Sequence, residues 1–158
     1  MNYNREVKAE TISQEKADEF GKKFLEEKGF KNMVETYYLK ESGIVTINYA
    51  YEQDKVTIYP DLVKLKVALD NGEILGIETK GYLNSHEQRT IGEIKISKEK
   101  AKENLNPKLQ IESEKLAIIP TKWQTEILCW EFKGNVDNTD FLVSVSYTHL
   151  TLPTILRV

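Results

Sequence analysis

Two histidines, one cysteine and 25 acidic residues are the raw material for chemistry in this 158-residue chain. A metal site needs His, Cys or carboxylates clustered at ligand spacing. His149 lies in a C-terminal stretch that reads as foreign, which leaves His86 alone in a polar segment, where a solvated loop residue is the expected reading. Cys129 sits in Glu126-Ile-Leu-Cys-Trp-Glu-Phe132, an apolar strand pattern in which a thiol packs rather than reacts. Glycoside hydrolysis uses two carboxylates, one held protonated by an apolar setting. Asp70 with Glu73, and Glu112 with Glu114, are pairs that can be nominated, but neither has such a neighbourhood. The glycines form no phosphate-cradling G-x-G-x-x-G or G-x-x-x-x-G-K, and no G-x-S-x-G elbow occurs. Tyr37, Tyr38, Tyr49, Tyr51, Tyr59 and Tyr82 are the remaining unusual feature. An exposed row of tyrosines would bind a partner or a glycan, but their place in alternating strands favours packing. No catalytic, cofactor-binding or metal-binding residue is assigned on this reading, and no partner-binding residue is singled out.

Composition supports that restraint. The chain is 40% hydrophobic and 30% charged with a net charge of −3, so it lacks the basic footprint of a nucleic-acid binder. No apolar run approaches the roughly 20 residues that span a bilayer, and no signal-peptide core opens the chain. A lone cysteine excludes an internal disulfide framework.

The elements follow from periodicity. Residues 1–10 read as a loose lead-in. Ser13 is placed to cap a helix, with Glu15 near its positive end and Ile12 and Ala17 positioned as a hydrophobic staple. Ala17, Phe20, Phe24 and Leu25 form its apolar face, and Gly29 ends it. Strands are then predicted at Val34–Leu39 and Val45–Tyr51, with a turn at Ser42-Gly43. A short strand at Val56–Tyr59 is followed by a break at Pro60-Asp61. Val63, Leu65, Val67 and Leu69 alternate with more polar residues, Asp70-Asn71-Gly72 reverses the chain, and Ile74–Ile77 returns. One helix followed by antiparallel strands makes an α+β unit over residues 11–83. Residues 84–93 read as a linker.

The helix opening then recurs, since Ile96-Ser-Lys-Glu-Lys-Ala101 repeats Ile12-Ser-Gln-Glu-Lys-Ala17 at five of six positions. Asn106-Pro107 shortens or interrupts this second helix. Strands are expected at Leu109–Ile119 and Glu126–Phe132, a turn-rich stretch at Lys133–Asp140, and a further strand from Phe141. Residues 94–143 are thus a second unit that stops before its closing hairpin. Residues 144–158 resemble the translation of a transposase adapter used in sequencing libraries, so the natural sequence is expected to run only to about Val143. The source nucleotides at the Ser144 codon decide this. A second unit without its last hairpin is expected to expose a sheet edge.

A helix opening in I-S-x-E-x-A, then strands, then V-x-L-D-N-G-E-I resembles the PepSY domain. Gly29-Phe-Lys-Asn-Met33, Val45–Tyr51, Val56–Gly72, Gly81-Tyr-Leu-Asn-Ser-His86, Leu116–Thr121 and Glu126–Phe132 are similar to the C-terminal region of YpeB-type spore germination proteins. The resemblance implies two tandem PepSY-like units, each a helix on an antiparallel sheet, the second incomplete. It also implies a non-enzymatic protein without cofactors. Such a protein binds and stabilises or restrains a SleB-type cortex-lytic enzyme outside the spore inner membrane, behind an N-terminal membrane anchor that this sequence does not include. The alternatives are a general peptidase-inhibitory PepSY module and, further off, a peptidoglycan hydrolase.

Overall fold

The computed structural model describes residues 5–146 and the backbone of 154–157. Its contacts divide the chain into two compact units: Met1–Gln53 with Pro60–His86, and Asp54–Tyr59 with Glu87–Val158. The first unit is therefore assembled from two separate stretches. The α+β class read from the sequence is the class observed.

In the first unit, helix α1 (Gln14–Glu27) starts where the cap predicts. Ser13 stays extended and its Oγ accepts from the Lys16 amide at 3.3 Å. Gly29, at φ 88°, takes the left-handed conformation that follows the helix end. Ala17, Gly21 and Leu25 are the buried residues of α1. They face a sheet of β1 (Met33–Glu41), β2 (Ile44–Gln53), β3 (Val56–Ala68) and β4 (Ile74–Glu78). β1 pairs with β2, and β3 with β4, each antiparallel. Val45, Ile47, Tyr49, Val63, Leu65 and Val67 point into the core under the helix, as the period-two pattern requires.

Three expectations for this unit are corrected. Pro60-Asp61 does not break the strand, because β3 runs through it. The predicted linker begins as helix, α2 (Lys80–Ser85). Gly81 lets that helix approach β3, since a Cβ there would sit 3.0 Å from the Leu62 carbonyl and 3.1 Å from that of Pro60. Residues 5–10 are not loose: Arg5, Lys8 and Glu10 are all tied to the strands or turns. His86 is an exposed residue just past the end of α2, as expected, but its ring is engaged by the contacts described below.

The second unit contains α3 (Lys98–Lys102), β5 (Gln110–Pro120), β6 (Glu126–Val136), β7 (Thr139–Val145) and β8 (Thr154–Arg157). Ser97 repeats the role of Ser13, its Oγ accepting from the Lys100 amide at 3.2 Å. Ile96, Ala101, Phe132, Val143 and Val145 form the core. β5–β8 pair antiparallel in sequence, and Val56–Ile58 adds a short parallel pairing with Leu116–Ile118. Within Lys133–Asp140, expected as turn, most residues are strand. Val136 pairs with Thr139, and the reversal is confined to Asp137-Asn138, at φ 49° and 62°. Two left-handed residues suit a tight hairpin. The sheet edge expected to be bare carries β8, and β7 continues through Ser144 and Val145. Residues 147–153 and 158, and with them His149, lie outside the described residues. Among the described residues no helix is long and apolar enough to cross a membrane.

Candidate functional site

The residues nominated for chemistry turn out to be committed to structure. Arg5 holds the Asp70 carboxylate with two bonds of 2.7 and 2.8 Å, and donates to Glu73 at 2.7 Å and to the Asn71 side chain at 2.8 Å. The Lys8 amide adds a bond to Asp70 at 2.9 Å. The guanidinium beside Asp70, and then the Lys8 N–H, hold its carboxyl well below the ordinary carboxylate range. That is the opposite of what a general acid needs. Glu114 is gripped by Lys98 and Lys102, both at 2.6 Å, and its acidity is likewise increased, by Lys102 first. Glu112 is exposed on β5.

The Asp70 pairing predicts an acid response. Unfolded, the side chain takes up a proton near pH 4; folded, it does so only at lower pH. Below about pH 4 the unfolded chain therefore binds more protons, and stability falls as pH falls. Chemical denaturation between pH 7 and pH 2 should show a shallower acid loss in Arg5→Ala than in the parent chain. Identical acid slopes would mean that the pairing does not couple to folding.

Cys129 is fully buried, its Sγ 3.4 Å from the Ala117 carbonyl, and burial pushes the thiol up to about 12. It is a core residue, as its strand setting implies. The tyrosines form no exposed row. Tyr49 is wholly buried and donates to Asp18 Oδ1 at 2.9 Å; burial and that bond push its phenol far up. Tyr37, Tyr51, Tyr59 and Tyr82 are half-buried, and Tyr38 alone of the six is exposed.

The arrangement that the sequence did not disclose centres on His86. Its Nδ1 lies 2.7 Å from Oδ2 of Asp61, whose side chain is fully buried while the imidazole side chain is 33% exposed. The ring stacks on Tyr82 at 4.1 Å and 14°, and meets the Tyr51 ring edge-on at 4.7 Å. Phe30 closes the group against Tyr82 at 5.0 Å. An aspartate beside a histidine can orient an imidazole for proton transfer. Here it also fastens the end of α2 to β3 at the margin of the first core. The pair is 25 residues apart in sequence, and a Pro-Asp dipeptide reads locally as a turn. A second such clasp, Arg89 to Glu126 at 2.8 and 2.9 Å, lies in the second unit and holds the Glu126 carboxyl below its usual range.

Comparison with known proteins supplies the context. A family profile described as YpeB sporulation, PepSY1 and PepSY2 domains, matches residues 1–92. The sporulation protein YpeB of Halalkalibacterium halodurans is 32% identical over 142 residues, covering 90% of this chain and 32% of that protein. The Bacillus subtilis protein of the same name is 33% identical over 147 residues, with the same coverage. The chain thus spans about a third of the length of these relatives. The solved Bacillus megaterium YpeB C-terminal domain superposes with a TM-score of 0.90 at 30% identity, covering 99% of this chain and 70% of that one. With a profile match over more than half its length, and relatives that follow nearly all of it, the chain belongs to the YpeB sporulation protein family and carries its PepSY region.

Proposed function

We propose that this chain is the partner-holding part of a non-enzymatic sporulation protein, which binds and stabilises or restrains a SleB-type cortex-lytic enzyme. The complete protein would sit outside the spore inner membrane behind an N-terminal anchor. The observation that carries this reading is the commitment of the nominated groups within a sporulation family. Asp70 and Glu73 serve Arg5, Glu114 serves two lysines, and Cys129 serves the core. The Asp70 and Glu114 carboxyls, both held below the ordinary range by their cations, are poor proton donors near neutral pH. The reading assigns function to the surface displayed on two units of related design.

The test is co-purification of the complete protein with its cognate lytic enzyme, together with enzyme levels in dormant spores of a deletion strain. Binding, and loss of the enzyme on deletion, are expected. Failure to bind with normal enzyme levels would overturn the proposal. So would clearing of cortex peptidoglycan by the chain alone in a zymogram, if Asp70→Asn or Glu114→Gln abolished it.

A further inference from the structure

The tip of the β5–β6 hairpin presents Trp123 with 85% of its surface exposed, more than Leu83 at 71% or any other exposed large hydrophobic residue described. A single exposed apolar side chain ordinarily needs no explanation. This one differs because its loop is fixed by its own hydrogen bonds. The Thr121 and Thr125 hydroxyls lie 2.6 Å apart, and Thr121 Oγ1 also accepts from the Trp123 and Thr125 amides at 3.3 Å each. The Thr121 amide donates to the Thr125 carbonyl at 2.8 Å, and Gln124 is held at φ 59°. The most exposed large apolar side chain described therefore stands on a rigid mount.

We infer that Trp123 is an anchor that inserts into an apolar, acid-rimmed pocket on a partner protein, and that this partner is the lytic enzyme of the function proposed above, on which the inference rests. Two observations favour a protein pocket. The loop backbone is already tied by hydrogen bonds, which lowers the entropic cost of seating the ring it carries, and tryptophan is among the residue types that dominate interface energies. A bilayer is disfavoured because Trp123 has only polar neighbours along the loop, Lys122 and Gln124, and the other exposed large hydrophobic described in this unit, Ile111, lies at the far end of β5. Lys122, next to Trp123 in the loop and exposed, has no ion pair among the described residues, and a negative rim on the matching pocket would complement it.

The experiment measures binding of the complete sporulation protein to its cognate lytic enzyme by biolayer interferometry. Trp123→Ala is expected to weaken it by at least about tenfold, with Trp123→Phe intermediate. Lys122→Glu should weaken it and reduce its dependence on salt. Leu83→Ala, at a 71% exposed residue of the other unit, should leave it unchanged, and melting temperatures should match the parent throughout. Parent binding with an unaffected Trp123→Ala overturns this inference alone. Absence of binding by the parent overturns the proposed function and this inference with it. Trp123-dependent binding to anionic vesicles or to chitohexaose, in place of the enzyme, would overturn it in favour of a membrane or a glycan.

Discussion

Alanine in place of Tyr49 is expected to cost about 3–5 kcal/mol of stability, the range for removing a large buried aromatic side chain. Tyr49 heads the fully buried side chains by volume and lies in the core beneath α1. Its hydroxyl bonds Asp18 on that helix, so the change removes both packing and a tether. Gly21 shows how close the fit is. A Cβ added there would fall within van der Waals contact of the Tyr49 hydroxyl, leaving it 3.1 Å from Cζ and 3.4 Å from Leu65 Cδ1. Gly21→Ala alone gains about 1 kcal/mol of helix propensity, but the clash should outweigh it for a net loss of roughly 1–2 kcal/mol. Tyr49→Phe should cost about 1 kcal/mol through the lost hydrogen bond. The double variant should be more stable than the sum of the two losses predicts, because the atom that clashes is the one removed. Urea denaturation of the four proteins checks this cycle. Simple additivity would show that helix and strand do not meet at this point.

The contrast between these residues and the His86 cluster shows what the sequence makes legible. Ser13 and Ser97 announce their helices because a cap and its target amide are three residues apart. Asp70-Asn71-Gly72 announces its turn because Gly72, at φ 79°, needs a conformation few residues accept. The alternation along Val63–Leu69 marks the buried face in the same local way. Helix α2 carries no such signals: it is six residues long, contains Gly81, and Thr79 gives its start no side-chain bond. It packs closely on β3, where a Cβ at Gly81 would crowd the Pro60 and Leu62 carbonyls. Nor is Arg5 legible locally, since its partners lie 65 and 68 residues away. Proline in β3 misleads for a related reason, since local chemistry marks it as a breaker although the strand runs through it. Local codes placed elements; the clasps that hold them together required the fold.

Asp61→Ala provides the second large effect, expected at roughly 2–3 kcal/mol. Breaking a buried ionic or charge-assisted bond can cost more, but His86 is a third exposed, and water can replace part of what the imidazole loses. Asp61 itself is wholly enclosed, so its removal also leaves a void beneath α2. Asp61→Asn keeps an oxygen that can accept from the imidazole and should lose less than half as much. The loss should be local before it is global. With its clasp gone, α2 should fray, and amide exchange should rise at Leu83 and His86, whose N–H groups bond the Thr79 and Tyr82 carbonyls within that turn. His86→Phe keeps a ring against Tyr82 and Tyr51 but removes the bond to Asp61, which separates stacking from hydrogen bonding. If the aromatic contacts held α2 alone, His86→Phe would be nearly neutral and Asp61→Ala would leave exchange at Leu83 unchanged. The hydrogen bond is the shorter and more deeply buried contact, so the expected order of stability is parent, Asp61→Asn, then His86→Phe together with Asp61→Ala.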